Sequence, residues 1–144
     1  MTSENTLTRG EVLTILTHAP TAPVKALAES VIPHLGEITV MQNRTGLVMV
    51  PYTDGTTGTT FHLGEALIAE AHIRIEDGTE GYAACLGRDL EQAVAIALLD
   101  AALAASIMAE PIRAFVTEQQ TAQAAADTDL LRTVEATRVA METF

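Results

Sequence analysis

Apolar residues recur at helical spacing in two short runs within the first third of the chain. Thr8 is followed three residues later by Glu11, the capping-box pattern, which predicts a helix that ends before Pro20. Thr21 then stands where a cap would start a second helix, which stops before Pro33. The apolar stripe of this second helix consists of Val24, Leu27, Ala28 and Val31.

Between residues 36 and 86 the apolar residues alternate instead. The apolar segments 38–41 and 47–50 are predicted to be strands, separated by the polar residues 42–45 and Gly46. A longer strand is predicted over 66–75, because small and aliphatic residues take one of its faces. The opposite face carries Ile68, Glu70, His72 and Arg74.

A hairpin turn is predicted immediately after this long strand. Asp77 and Gly78 form a strong turn signal, since glycine tolerates positive φ, and segment 82–86 would return antiparallel. Arg74 stands on an otherwise acidic strand face, so we interpret it as a cross-strand partner or an interface residue. The region as a whole predicts an antiparallel sheet of about four strands.

A long helix is predicted to follow the sheet. Asp89 has the position of an N-cap, and the helix is expected to run to about Met108, before Pro111. Apolar and small residues fill nearly all of segment 93–109, which predicts a helix buried in protein on nearly every side. Because the segment is rich in alanine and carries Asp100 near its middle, it is not expected to cross a membrane.

A terminal helix is predicted from a further apolar stripe. Its members are Leu130, Val134, Thr137 and Met141. Together with the helix over 93–109, this stripe is more apolar surface than a 144-residue domain with one sheet is expected to hide, so association with another chain is predicted. The elements predict a single α+β domain over residues 1–144, with the sheet in the middle packed by N-terminal and C-terminal helices.

Charge and cysteine content exclude some classes of function. Eight Lys and Arg against 19 Asp and Glu give a net charge of −11, which repels a phosphate backbone, so nucleic acid is not an expected partner. The single cysteine, Cys85, cannot form an internal disulfide, and the polar start MTSENTLTRG lacks the pattern of a signal peptide. A cytoplasmic protein is therefore expected.

One glycine-rich segment is a candidate for ligand contact. The string from Asp54 to Thr60 contains Gly55 and Gly58, whose size would let backbone N–H groups approach an anion. The segment lacks the lysine and the following helix of a P-loop. The alternative interpretation is an ordinary connection between strands.

A second candidate lies where the last strand meets the long helix. Arg88 at this helix start could contact an anionic substrate or a partner's carboxylate. In the alternative interpretation, Asp89 caps the helix and Arg88 forms an internal ion pair. We interpret five residues of the turns, strand ends and caps as structural: Gly46, Asp77, Gly78, Gly87 and Asp89.

No residue pattern predicts a metal site or a catalytic nucleophile. His62, His72 and Cys85 lack the paired spacing that brings two zinc ligands to one point. Ser106 and Cys85 have no recognisable base at a motif spacing. We therefore predict no catalytic residue and no metal ligand in this chain.

An ordered set of short strings extends over nearly the whole chain. In order they are RGEVL from Arg9, TGLV from Thr45, GTTG from Gly55, FHLGE from Phe61, DGTEGY from Asp77, GRD from Gly87 and VEATRV from Val134. In this order and spacing the strings resemble the PhnG family, the G subunit of the bacterial carbon-phosphorus lyase system. The resemblance implies a subunit of a complex that degrades phosphonates.

The resemblance also implies a reaction, in which a phosphonate displaces adenine from MgATP to give a ribose 1-phosphonate 5-triphosphate. The eight basic residues of this chain are scattered, so alone it is poorly suited to hold a triphosphate. The principal active site is therefore expected on a partner, which the resemblance implies is the larger I subunit. This chain is expected to bind no cofactor and to act as a structural or activating partner of the I subunit, in contact also with the H and J subunits.

Two alternatives to this role stay open. Arg88 or the segment 54–60 could complete a composite substrate site across a subunit boundary. The chain could also be a free-standing homodimeric binding module that has kept the fold without the pathway. Adjacent genes for the H, I and J subunits would argue against the homodimeric module.

Overall fold

Helices at both ends of the chain flank an antiparallel sheet, which confirms the predicted α+β class. The computed structural model describes the backbone of residues 7–53 and 60–142, and the side chains of residues 7–49 and 64–134. The helices in these ranges are α1 (Arg9–His18), α2 (Thr21–Val31), a 3-10 helix (Ile32–His34), α3 (Leu90–Ala104) and α4 (Ala109–Glu142). The strands are β1 (Thr39–Thr53), β2 (Thr60–Arg74) and β3 (Glu80–Leu86).

The first two helices begin in different ways. The capping box predicted for α1 is confirmed, since the Glu11 N–H donates to Thr8 Oγ1 at 3.2 Å and the Thr8 N–H donates to Glu11 Oε1 at 2.9 Å. The prediction that Thr21 caps α2 is wrong. Pro20 holds the N-cap position and Thr21 is the first helical residue, because the fixed φ of proline leads the chain into the helix without a side-chain cap.

The described residues form a sheet of three strands rather than about four, in the order β1-β2-β3 with both pairs antiparallel. Segment 42–46, predicted to be a loop, continues β1, with pairs from Gln42 and His72 to Gly46 and Ile68. Its polar side chains are tolerated because they are exposed, while the backbone ladder continues unbroken. Only a bulge between Val40 and Gln42 interrupts this part of β1.

The hairpin between β2 and β3 turns where it was predicted. Gly78 has φ +93°, a conformation that glycine adopts without steric penalty, and its N–H donates to the Ile75 carbonyl at 3.0 Å. Asp77 Oδ1 accepts from the Thr79 N–H at 2.8 Å, which holds the turn. Asp77 and Gly78 therefore both take part in the turn.

Helix α3 lies at the centre of the core. It packs against β2 and β3 on one side and against α2 on the other, which confirms that this segment is buried on nearly every side. The sheet contributes Ala69, Ala71 and Ile73, each fully buried, and the face of β2 that was predicted to be apolar is the face that meets α3. The core is aliphatic and built largely of small side chains.

Gly81 brings β3 unusually close to α3. A Cβ atom built on Gly81 would lie 2.1 Å from the Ala97 carbonyl oxygen and 2.9 Å from the Ala101 backbone nitrogen. No larger residue fits without separating the strand from the helix. The many alanines of α3 allow the same close packing, because their side chains are small.

Helix α3 ends earlier than the sequence predicted, at Ala104 instead of about Met108. Ser106 takes a left-handed conformation with φ 58°. The N–H groups of Ser106 and Ile107 donate to carbonyls of the last helical turn at 3.1 and 2.8 Å, the bonds of a Schellman motif. Pro111, expected to end the segment, instead lies in the first turn of α4, where no backbone donor is needed.

Only the first half of α4 packs on the domain. Ile112 and Val116 are buried, and Gln123 Nε2 donates to the Ile15 carbonyl at 3.0 Å. From 124 to 134 every residue is exposed, including Leu130. Residues 124–134 of this helix therefore lie away from the core.

Candidate functional site

The junction between β3 and α3 holds the predicted candidate Arg88. Gly87, with φ +105°, ends the strand, and its N–H donates to the Leu67 carbonyl at 2.8 Å. Asp89 Oδ1 accepts from the Gln92 N–H at 3.0 Å, so the predicted N-cap is confirmed. These two residues fix the backbone on either side of Arg88.

The charge of Asp89 is balanced by a lysine of α2. Lys25 Nζ lies 2.9 Å from Asp89 Oδ2 and 3.7 Å from Glu91 Oε1. The bond from Lys25, followed by that from the Gln92 N–H, holds the pKa of Asp89 below its ordinary value. The same bond to Asp89 raises the pKa of Lys25.

Arg88 itself is exposed, and it forms no ion pair with any residue whose side chain the structure describes. Among the described side chains the internal pair is not seen, and the neighbouring carboxylate of Asp89 is bonded to Lys25 instead. The exposed guanidinium of Arg88 is available to bind a carboxylate or a phosphate of another molecule. The other substrate-contact candidates, Gly55 and Gly58, lie outside the described residues.

The face of the sheet opposite α3, here called the outer face, carries a polar cluster on β1, β2 and β3. Arg44 Nε donates to Glu70 Oε1 at 2.9 Å, and the Tyr82 hydroxyl donates to Glu70 Oε2. The bonds from Tyr82 and Arg44 lower the pKa of Glu70, while the bond to Glu70 raises the pKa of Tyr82.

A second carboxylate, Glu80, organises the rest of this cluster. Its oxygens lie 2.6 Å from His72 Nε2 and 3.1 Å from Arg74 Nη2. Arg74 and then His72 lower the pKa of Glu80, so this carboxylate stays ionised at neutral pH. The prediction that Arg74 is a cross-strand partner is confirmed.

The two carboxylates and the tyrosine of this cluster have the character of a fixed surface rather than of an acid-base centre. Both carboxylates have a lowered pKa and Tyr82 has a raised one, whereas a general acid or base needs a pKa near the working pH. Glu70 and Glu80 are each matched by an arginine, Arg44 and Arg74. Because these charges balance, the cluster is typical of a contact surface that carries little net charge.

An ion pair behind the sheet, in which only the carboxylate is buried, was not predicted from the sequence, which indicated only that Asp100 is one of few polar positions on an apolar helix. Asp100 is 4% exposed. Its Oδ1 accepts from Arg9 Nε at 2.8 Å, and its Oδ2 accepts from the Tyr82 N–H at 2.9 Å. A lone carboxylate within an alanine-rich helix was the signal for such a partner.

The outer face is apolar beyond the polar cluster, toward the end of β3. A shallow hollow of about 340 Å³ lies there, beside Arg44 and Glu70. It is also lined by Thr45, Gly46, Leu47, Val48 and Ile68. Gly46, expected to be a turn residue, instead lies within β1, where an added Cβ would meet nothing within 4 Å.

Other candidate chemistries find little support among the described residues. They contain no group of three or more His, Cys, Asp and Glu that could hold a metal ion. Cys85 is buried, and its removal from water raises the pKa of the thiol, which disfavours the nucleophilic thiolate. No helix in the described part of the chain has both the length and the apolar character needed to cross a membrane.

Comparison with known proteins gives a consistent result. The sequence profile of the family described as "Phosphonate metabolism protein PhnG" matches residues 7–144. A relative from Rhizobium meliloti (strain 1021), named "Alpha-D-ribose 1-methylphosphonate 5-triphosphate synthase subunit PhnG", is 42% identical over 57 residues. The matched segment covers 40% of this chain and 36% of that relative. Because the family profile matches almost the entire sequence, this chain belongs to the PhnG family of phosphonate metabolism proteins.

Proposed function

We propose that this chain is a non-catalytic subunit of a complex that transfers a phosphonate to the ribose C1 of MgATP and releases adenine. Its role is to hold and activate the I subunit, which carries the principal active site, and it also contacts the H and J subunits. The chain binds no cofactor, MgATP being a substrate of the complex, and it works in the cytoplasm. Family membership and the name of the Rhizobium relative support a role in such a complex.

The distribution of cations is the observation that carries the non-catalytic role. Four of the basic residues are committed to carboxylates of the same chain: Arg9, Lys25, Arg44 and Arg74. Within the described side chains, Arg88, Arg113 and Arg132 are in no ion pair, but they belong to three separate parts of the chain. A triphosphate needs several cations at one point, so these residues do not form a site for it.

The isolated chain is therefore expected not to bind MgATP at micromolar concentration and not to release adenine from it. Calorimetry of the purified chain with MgATP measures the binding. An adenine assay with methylphosphonate, run with and without the I subunit, measures the reaction. Micromolar affinity or adenine release by this chain alone would contradict the assignment of the active site to a partner.

A second candidate function is that Arg88 completes a composite substrate site at a subunit boundary. The observation that favours it is the exposed, unpaired state of Arg88 at a helix start. Arg88→Ala would then lower the rate of adenine release while the complex assembles normally. Arg113→Ala, another exposed arginine outside any described ion pair, is the matched control and should leave the rate unchanged.

A further inference from the structure

Five residues at one end of the outer face form a surface here called the apolar corner: Gly46, Val48, Ala66, Ile68 and Leu86. The register places Gly46 opposite Ile68, Val48 opposite Ala66, and Ile68 opposite Leu86. Directly paired residues of an antiparallel sheet share a face, so all five lie side by side. Leu86 is 76% exposed and Val48 is 44% exposed.

The fold of this chain leaves the apolar corner uncovered. Strand β3 ends at Leu86, while β1 and β2 continue beyond it, so in the described part of the chain β2 has no neighbour on that edge there. On the opposite face of the same strands Leu47 and Met49 are also exposed. Two exposed faces on one apolar hairpin are typical of a binding surface.

Gly46 gives the apolar corner its concave shape. It lines the hollow of about 340 Å³ described above, and the space over its Cα is open. Val48 and Ile68 form apolar walls of the hollow, and Arg44 and Glu70 close its polar end. The hollow is therefore suited to receive an apolar side chain.

The charges around the apolar corner favour a partner other than a second copy. The chain carries −11 overall, yet Glu70 beside the corner is neutralised by Arg44, and Arg88 lies two residues beyond Leu86 with no described ion pair. Among the described side chains of the outer face, the carboxylates Glu70 and Glu80 are both paired with arginines. A two-fold dimer centred on the corner would therefore offer Arg88 no unpaired carboxylate from that part of the face. The exposed Glu65 lies on the other face of β2, since its position alternates with that of Ala66.

We propose that the apolar corner is the docking site for an apolar segment of a different subunit. An apolar side chain of that segment fills the hollow over Gly46, and a carboxylate at its edge bonds to Arg88. This inference rests on the proposed function, because it requires that the chain work within a complex. The acidic charge of the chain excludes a strongly acidic partner and favours one that is neutral or basic overall.

Gly46→Val tests the hollow without damaging the fold. The added atoms point into open space, and valine favours a strand more than glycine does, so the thermal midpoint of the isolated chain should hold or rise. Filling the hollow should nevertheless weaken binding to the partner subunit by roughly tenfold or more. Leu86→Asp should have a similar effect, and Arg88→Glu should add a strong dependence on salt.

The assay is calorimetric titration of this chain with each other subunit of its own complex, purified separately. Val40→Asp is the matched control, because Val40 is 52% exposed at the opposite end of β1. This variant should bind the partner subunit as tightly as the wild type does. Wild-type binding that survives both Gly46→Val and Leu86→Asp would overturn the docking site while the proposed function stands. A homodimer abolished by these variants would overturn the choice of partner. No binding to any subunit would overturn the proposed function itself.

Discussion

A single carboxylate, Asp100, connects three elements of the fold. It lies on α3, pairs with Arg9 of α1 and accepts the Tyr82 N–H of β3. The two partners of this ion pair differ in exposure, since the Asp100 side chain is 5% exposed and the Arg9 side chain is 59% exposed. Removing one partner therefore has a different consequence from removing the other.

Arg9→Ala should lower the free energy of unfolding by about 3 kcal/mol, because it leaves a buried carboxylate without its counter-charge. Asp100→Asn should lower it by only about 1 kcal/mol, since the amide oxygen still accepts the Tyr82 N–H and Arg9 remains solvated. Urea unfolding followed by circular dichroism measures both changes. In the double variant, Asp100→Asn should recover part of the loss, and equal losses in the two single variants would contradict the asymmetry.

The cap of α3 should make stability depend on pH. The pKa of Asp89 is lower in the folded chain than in the unfolded chain, so its bond to Lys25 contributes fully above the unfolded value, about pH 4, and is lost as the pH falls through the folded value. Asp89→Ser keeps a capping oxygen but removes the charge. The stability difference between wild type and Asp89→Ser should be largest near pH 7 and vanish toward pH 2.

The packing of β3 on α3 depends on the absence of a side chain at one position. Gly81→Ala would place a methyl group 2.1 Å from the Ala97 carbonyl oxygen. Because Ala97 belongs to the buried helix α3, this oxygen cannot shift without moving the helix against its other neighbours. We expect a loss of about 3 kcal/mol in the free energy of unfolding. Gly46→Ala is the matched control, because its Cβ meets open space, and it should cause no loss. Equal stability of the two variants would show that strand and helix separate easily.

Residues 124–134 of α4 give the molecule a second uncovered apolar surface. Leu131 is 65% exposed and Val134 is 53% exposed. Val134→Asp or Leu131→Asp should therefore leave the circular dichroism and thermal midpoint of the isolated chain nearly unchanged, within about 0.5 kcal/mol. Association with a partner, measured by light scattering with and without the I subunit, should be lost.

Two results would contradict this prediction. A wild-type chain that stays monomeric at high concentration and does not associate with the I subunit would show that the helix has no partner. A variant that unfolds while the wild type is stable would show that the helix packs within its own chain. Ser30→Asp, at an exposed position on α2, serves as a control for the added charge.

Several elements followed from the sequence because their signals are local. The capping box of Thr8, the cap at Asp89 and the turn at Asp77 and Gly78 each involve residues within one turn of backbone, so their chemistry is the same in any fold. Alternation along β2 also identified the face that meets α3. The ordered strings gave the family, which the profile match confirmed.

The sequence could not reveal what depends on contacts between distant residues. The polar segment 42–46 became strand because β2 provides its ladder, and Asp100 became buried because Arg9, far away along the chain, reaches it. Among the described side chains Arg88 has no ion pair, whereas Lys25, from another helix, pairs with the neighbouring carboxylate of Asp89. By itself the sequence determined the caps at Thr8 and Asp89, the turn at Asp77 and Gly78, and the apolar face of β2, because near neighbours along the chain set them. Only the tertiary structure decided which charges are paired and which apolar surfaces are left for a partner, because those depend on how the elements pack.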